Sequence, residues 1–291
     1  MRSYEAEVPC LSLTEEERRS GCSFVHQFSI RDTYCLHSHT FYEFFLISRG
    51  KGIHRINGSS TLLSEGSFVL VRPSDTHCYD FLNQYDLELI NIPFLPVHFE
   101  RICRLFDCSP SFWERPALCP QVELAGNQLA ETRSRLLQIG QMESGVRRRQ
   151  YLLSVLPSFL YPFLAVWEQN PSDGSALHQG KPFPAWLSDL LSRMEIRENY
   201  VEGLPRMIAL SHMSQEYLTR SFRKWLHMSP TEFINARRME LAASLLLEAE
   251  LSVLEVCQEC GFRNLSYFYR IFREQYGCAP GKFGKKEETD V

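Results

Sequence analysis

Residues 253–280 read VLEVCQECGFRNLSYFYRIFREQYGCAP, and this stretch decides how the rest of the 291-residue chain is read. Val253 to Cys260 has the length of a short helix with Leu254, Val256 and Cys257 turned inward, and Gly261 supplies a turn. A second helix follows to about Tyr276, capped at its start by Asn264 or a neighbour and closed by Gly277. Leu265, Phe268, Ile271 and Phe272 fall on one face at helical spacing, which leaves Arg263, Asn264, Ser266, Tyr267 and Arg270 outside.

The unit occurs twice. At a shift of fifty residues Leu204 matches Leu254, Tyr217 matches Tyr267, Arg220 matches Arg270, and Phe222-Arg223 matches Phe272-Arg273. Pro230 and Phe233 match Pro280 and Phe283, so seven identities fall in a thirty-residue window where average usage gives about two. In the first copy the helix that starts at Ser214 buries Leu218 and Phe222 and exposes Gln215, Glu216, Thr219 and Arg220, with Lys224 one turn on. Such side chains near a helix N-terminus are the donors and acceptors that read base edges in the major groove. One hairpin with a polar outer face is more often merely solvated. Two copies joined by the helix-forming stretch Thr231 to Leu247, about 22 Å long, favour a reader of double-stranded DNA, whose major grooves recur about every 34 Å.

Charge permits this without demanding it. The chain carries a net −4, yet Leu204 to Lys286 holds 12 Lys+Arg against 8 Asp+Glu. With 44% hydrophobic and 23% charged residues, disordered, fibrous and disulfide-scaffold classes are excluded. The longest apolar stretch, Tyr151 to Trp167, is broken by Ser154, Pro157, Ser158 and Pro162, so no membrane span is expected. Met1 to Ser20 carries five glutamates and no apolar leader core, which makes a reducing cytoplasm the expected compartment and the ten cysteines thiols.

Glu259-Cys260-Gly261-Phe262, Ser266-Tyr267-Phe268-Tyr269-Arg270-Ile271-Phe272 and Tyr276-Gly277-Cys278-Ala279-Pro280 resemble the C-terminal signature of the AraC/XylS transcription regulators. Leu218 to Lys224 with Ser229-Pro230 resembles the less regular first helix-turn-helix of that family. The resemblance covers about a hundred residues. It departs at Lys282-Phe283-Gly284-Lys285, where the family usually has Tyr/Phe-Arg after the proline, and at Cys260, where a small or apolar core residue is common. It implies an operator, RNA polymerase and a small-molecule effector as partners.

The first hundred residues read as short strands, Phe41 to Ser48, Ile53 to Ile56, Ser67 to Arg72 and Leu87 to Ile92, with a hairpin turn at Asn57-Gly58. His37-x-His39-x3-Glu43-x6-Gly50 resembles the first cupin motif, and Gly66 with Pro73-x3-His77 the second. Two imidazoles and a carboxylate on neighbouring strand positions, with a third imidazole from a later strand, have the chemistry to converge on a divalent transition metal. The candidate ligands are His37, His39, Glu43 and His77. The same residues, with Tyr42 and Tyr79, are the candidate effector contacts; a metal centre, a metal-free ligand pocket and purely structural histidines all stand at this point. Arg72-Pro73-Ser74-Asp75-Thr76-His77, Asn91-Ile92-Pro93-Phe94 and Arg238-Met239 look most like the chitobiose-operon regulators, which implies a phosphorylated or free amino-sugar as effector.

The expected fold is an α+β multidomain chain: an N-terminal cupin-type β-barrel with flanking helices at 1–120 and a C-terminal all-α domain at 185–291 with two helix-turn-helix motifs, about 204–226 and 253–276. Between them lie a helical segment at 121–169, expected to pack or to form a homodimer because its apolar helices have no other evident partner, and a linker at 170–184. The expected function is an effector-responsive activator or repressor of a carbohydrate operon, with no catalytic residue. Two other classes stand beside it, a metal-dependent cupin enzyme and a thiol redox sensor using Cys257 and Cys260.

Overall fold

In a computed structural model the described residues are 8–27, 36–81, 87–114, 119–169, 178, 180–248 and 251–283. Contacts divide the chain into a sheet-rich unit ending at Phe183 and a helical unit from Pro184. Of the expected linker, 170–177 and 179 lie outside the described residues, as does the chain from Gly284.

The first unit opens with β1 (Cys10–Leu11), α1 (Glu15–Ser20), β2 (Val25–Gln27) and β3 (Ser38–His39). It continues through β4 (Tyr42–Arg49), β5 (Lys51–Ile56), β6 (Ser59–Ser64), β7 (Ser67–Val71), β8 (His77–Phe81) and β9 (Glu88–Phe94). Helices α2 (Pro96–Leu105) and α3 (Pro110–Trp113), β10 (Gln121–Glu123), α4 (Gly126–Gln141) and α5 (Val146–Gln169) complete it. The strands form a five-stranded sheet in the order β10-β7-β4-β9-β2, a three-stranded sheet β6-β5-β8 and the parallel pair β1-β3. At the β5-β6 turn Asn57 and Gly58 have φ of 49° and 75°, the left-handed pair such a hairpin requires.

Side-chain parity on β4 explains its unbroken apolar sequence. Phe45 and Ile47 join Ile56, Leu63, Val69, Val71 and Leu89 in a core shared with the three-stranded sheet. Phe44 and Leu46 join Phe68, Leu70, Ile92, Leu156, Phe159 and Phe163 in a second core against the helices. Both faces are covered, so strand alternation is invisible as polarity. One expectation is corrected: residues 121–123 pair with β7 as a strand, and the helix starts only at Gly126. Leu136 and Ile139 of α4 and Leu156, Phe159 and Phe163 of α5 pack on the chain's own sheet, the first of the two arrangements expected for 121–169.

α5 also runs unbroken through Pro157 and Pro162, contrary to the expected interruption. It therefore has the length and hydropathy of a membrane-crossing helix, although Leu152, Leu156, Phe159, Leu160 and Phe163 are all seated in the core. The Ser154 and Ser158 hydroxyls donate to the Tyr151 and Val155 carbonyls beside the prolines.

The helical unit comprises α6 (Ala185–Arg193), α7 (Arg197–Glu202), α8 (Leu204–Ser211), α9 (Gln215–Leu226), α10 (Pro230–Glu248), α11 (Val253–Glu259) and α12 (Leu265–Tyr276). A 3-10 turn at Pro280–Lys282 follows. Phe268 and Phe272 of α12 pack on Met239 and Ala242 of α10 and on Val256, Cys257 and Cys260. Phe222 of α9 meets Phe233 of α10 edge to face at 5.7 Å. The long helix α10 thus carries both helix-turn-helix copies.

Candidate functional site

The two candidate reading helices are built alike. Ser214 accepts the Tyr217 amide at 3.2 Å and so caps α9; Asn264 Oδ1 accepts the Tyr267 amide at 2.8 Å and caps α12. Gln215, Glu216, Arg220 and Lys224 are exposed on α9, and Arg263, Ser266 and Arg270 on or beside α12. Thr219 is half-buried, with its hydroxyl donating to the Gln215 carbonyl at 2.8 Å.

Two expected readers are partly committed elsewhere. Asn264 spends its side-chain oxygen on the cap, and the Tyr267 hydroxyl receives the Asn235 amide at 3.0 Å. Arg270 lies over the Tyr267 ring at 5.0 Å and pairs with Glu274 at 2.8 Å. Two residues expected inside are outside: Leu254 is 52% exposed and Leu265 39%. Both lie in the first turn of their helices, before α11 and α12 reach the core.

One arginine that sequence reading did not assign ties α10 to α7 and to the turn of the second copy. Arg238 of α10 donates to the Tyr200 and Val201 carbonyls at 3.0 and 2.7 Å and stacks over Phe262 at 5.3 Å. Gly261, with φ 77°, makes the turn because a Cβ there would stand 2.3 Å from the Val201 carbonyl.

In the sheet-rich unit, donor atoms of His39, Glu43 and His77 all lie within 4.8 Å of one another. Their orientations are fixed from behind. His39 Nδ1 is 2.7 Å from the Phe41 carbonyl and so carries the proton, leaving Nε2 with its lone pair facing the cluster. His77 Nδ1 contacts His54 Nε2 at 3.2 Å. Glu43 receives Tyr79 Oη at 3.2 Å and is hydrogen-bonded by Asn91. Burial pushes His39 down to about 4, holds His77 well below the usual imidazole range, and lifts Glu43 to about 7.

His39 Nε2 and His77 Nε2 are buried without a hydrogen-bond partner among the described residues, His39 Nε2 standing 4.0 Å from a Glu43 carboxylate oxygen. Two neutral imidazoles, each aimed by a contact at its other nitrogen, and one carboxylate are the donor set of a divalent transition-metal site. The residues present therefore fit such an ion, which would supply Lewis-acid coordination of a ligand oxygen.

His37, the fourth expected ligand, stands outside that triad. Its backbone exchanges two hydrogen bonds with His77 at 2.8 and 3.0 Å, and its ring lies 4.5 Å from the His77 ring. It lines a cavity of about 250 Å³ together with Glu43 and Tyr79. Tyr42, by contrast, is turned away: its parity places it on the helical side, stacked on Phe99 at 4.0 Å and donating to Glu114 at 2.9 Å. It is not among the residues that line this cavity. Further polar walls come from Glu17, Ser23, Gln27 and Asn91, with Leu13 and Phe41 as apolar surface.

The loop that delivers His77 is clamped. Asp75, fully buried, receives Arg72 guanidinium nitrogens at 2.6 and 2.9 Å and the Asn57 amide at 2.7 Å, while Asn57 Oδ1 accepts the Thr76 amide.

Residues 25–142 match the AraC-like ligand binding domain, and residues 208–286 match a helix-turn-helix domain whose bounds enclose α9 to α12. The chain belongs to the AraC family of regulators. This regulator is 26% identical over 265 residues to the HTH-type transcriptional activator RhaR of Klebsiella pneumoniae subsp. pneumoniae, covering 89% of this chain and 90% of that one. It is also 26% identical over 265 residues to the HTH-type transcriptional activator RhaS of Escherichia fergusonii, covering 88% and 89%. Among solved structures, ToxT from Vibrio cholerae aligns over 90% of this chain and 95% of its own at 13% identity and a TM-score of 0.35. The DNA-binding domain of AdpA in complex with a target DNA aligns over 33% and 87% at 27% identity and a TM-score of 0.30. The regulator is thus a DNA-binding transcription regulator with an N-terminal ligand-binding domain.

The thiol reading gains nothing from this regulator's geometry. Cys257 and Cys260 are both buried, and burial pushes Cys260 up to about 12 and raises Cys257, so neither offers a thiolate at neutral pH. Sequence reading missed His54 and Asn91. His54 falls in no motif, and Asn91 stood only in the stretch Asn91-Ile92-Pro93-Phe94 with no role at the cluster; strand pairing brings both there.

Proposed function

We propose that the regulator controls a carbohydrate-utilisation operon, with α9 and α12 reading duplex operator DNA and the 250 Å³ cavity holding the effector. The observation that carries the DNA assignment is the repetition of one side-chain-capped helix with an exposed first turn and an outward arginine, Arg220 or Arg270. The effector is a small hydroxyl-bearing molecule, an amino-sugar or a fragment of a chitooligosaccharide. Its hydroxyl groups meet Ser23, Gln27 and Asn91, and a sugar face meets Phe41. Two lining carboxylates, Glu17 and Glu43, disfavour a phosphorylated form. His39, Glu43 and His77 hold a divalent transition metal at the inner wall.

The relatives are transcriptional activators, which are not enzymes, and the cavity serves sensing, with RNA polymerase as the partner through which operator binding acts. Effector binding acts by favouring one arrangement of the chain over another. The site of action is the cytoplasm.

Operator binding by the full chain tests the reading. Arg220→Ala and Arg270→Ala should each weaken binding by about 1–3 kcal/mol if the arginine meets a base, or weaken all duplexes and flatten the salt slope if it meets phosphate. Unchanged affinity in both variants removes α9 and α12 as the reading helices. A rise in melting temperature with an amino-sugar panel checks the cavity, and metal analysis of untagged protein checks the triad.

A further inference from the structure

The two recognition helices are copies in register, so their outward positions can be compared one for one. At the shift of fifty residues Gln215 corresponds to Leu265, Glu216 to Ser266, Thr219 to Tyr269 and Arg220 to Arg270. The basic position is shared; the first-turn positions are chemically opposite. Gln215 opens α9 with an exposed amide, and Leu265 opens α12 with an apolar side chain 39% exposed.

Leu265 is not a lone surface leucine. It forms one end of a shallow groove along α12, shared with Ser266, Tyr269, Arg270, Arg273 and Glu274. The Asn264 cap holds this end of the helix in place, and the buried face is supplied by Phe268 and Phe272 without it. A groove apolar at its N-terminal end and net cationic along its length, with Arg273 beside the Arg270–Glu274 pair, suits a thymine 5-methyl group with phosphates alongside.

We infer that α12 reads thymine methyl groups through Leu265 whereas α9 reads hydrogen-bonding base edges through Gln215 and Glu216, so that the operator's two half-sites differ in chemistry. Gln215 suits the N6 and N7 atoms of adenine, and Glu216 accepts from the N4 amine of cytosine. A tandem repeat that used one code twice would ask for a repeated half-site; this chain asks for an asymmetric one. The inference rests on the reading of α9 and α12 as the base-contacting helices.

The test uses the full chain and the duplex obtained by selection from random sequence. Each thymine is replaced by uracil, which lacks only the methyl group, and each adenine by 7-deazaadenine, which lacks N7. Uracil at one or two positions should weaken wild-type binding about fourfold, or ~0.8 kcal/mol for one methyl group. Leu265→Ala should abolish that sensitivity, and Gln215→Ala should leave it intact while abolishing the response to 7-deazaadenine in the other half-site. Leu265→Gln should lose the uracil response and select adenine. Since both side chains are exposed, these variants fold. Uracil sensitivity that persists in Leu265→Ala, or no uracil-sensitive thymine at all, overturns the inference while leaving the helix assignment standing. Affinity unchanged in every α9 and α12 variant overturns both.

Discussion

His54 Nε2 lies 3.2 Å from His77 Nδ1, and this contact, between neighbouring strands of the small sheet, decides which way the His77 ring faces. His54 is itself stacked on Tyr79 at 5.3 Å and set edge-on to Phe45 at 5.3 Å, so its ring has little freedom. A fixed imidazole behind a ligand imidazole sets tautomer and orientation together.

Metal affinity should therefore depend on a residue outside the triad. His54→Phe keeps the ring packing and removes the nitrogen, and divalent-ion affinity by calorimetric titration should fall about 10- to 100-fold. His39→Ala and His77→Ala should abolish stoichiometric binding, and His37→Ala should retain it. Equal loss in His37→Ala and His77→Ala would restore the four-ligand set.

Arg72 is 3% exposed and Asp75 fully buried, so removing one member strands the other's charge inside the protein. Asp75→Ala should cost about 3–5 kcal/mol of stability in denaturant unfolding. Because Asp75 also anchors Asn57, and Asn57 the Thr76 amide, metal affinity should fall with it. A variant as stable as wild type would show that the clamp contributes nothing.

Gly261 and Gly277 both have positive φ, 77° and 73°, but their surroundings differ. A Cβ at Gly277 meets nothing within 4 Å, whereas at Gly261 it meets the Val201 carbonyl at 2.3 Å and Arg238 at 3.1 Å. Gly277→Ala should cost roughly 1–2 kcal/mol, the left-handed penalty alone. Gly261→Ala should cost about 3 kcal/mol or more and weaken operator binding, because the second helix-turn-helix must shift. Thermal unfolding of the two variants side by side separates conformational strain from collision.

Cysteine chemistry gives a sharp contrast. Cys10 is exposed, while Cys257 and Cys260 are buried with raised thiols. In an aromatic-disulfide titration near neutral pH, Cys10 should react at once, and Cys257 and Cys260 only on unfolding. Operator binding should be blind to mild peroxide. Rapid loss of binding reversed by dithiothreitol would revive thiol sensing.

Much of the helical unit was legible because its determinants are local. Caps at Ser214 and Asn264, the glycine turn at Gly261 and apolar spacing within twelve residues are properties of a single helix pair, and repetition doubled their weight. Local spacing failed at Leu254 and Leu265, since a position on the apolar side of a helical wheel is buried only if another element reaches that turn.

The sheet-rich unit shows the opposite balance. Residue types at His37, His39, Glu43 and His77 announced a donor cluster, but which of them converge is a matter of register between strands far apart in sequence. Tyr42 and Glu43 are neighbours, yet they face different cores because strand side chains alternate, and with both faces apolar the sequence carried no polarity mark of which was which. By itself the sequence determined the family, the doubled recognition unit and the chemical kind of the buried cluster, all of which depend on spacing along the chain. Tertiary structure alone decided the triad's membership, its support by His54 and Asn91, and the covering of α4 and α5, because each depends on contacts between segments that spacing does not relate.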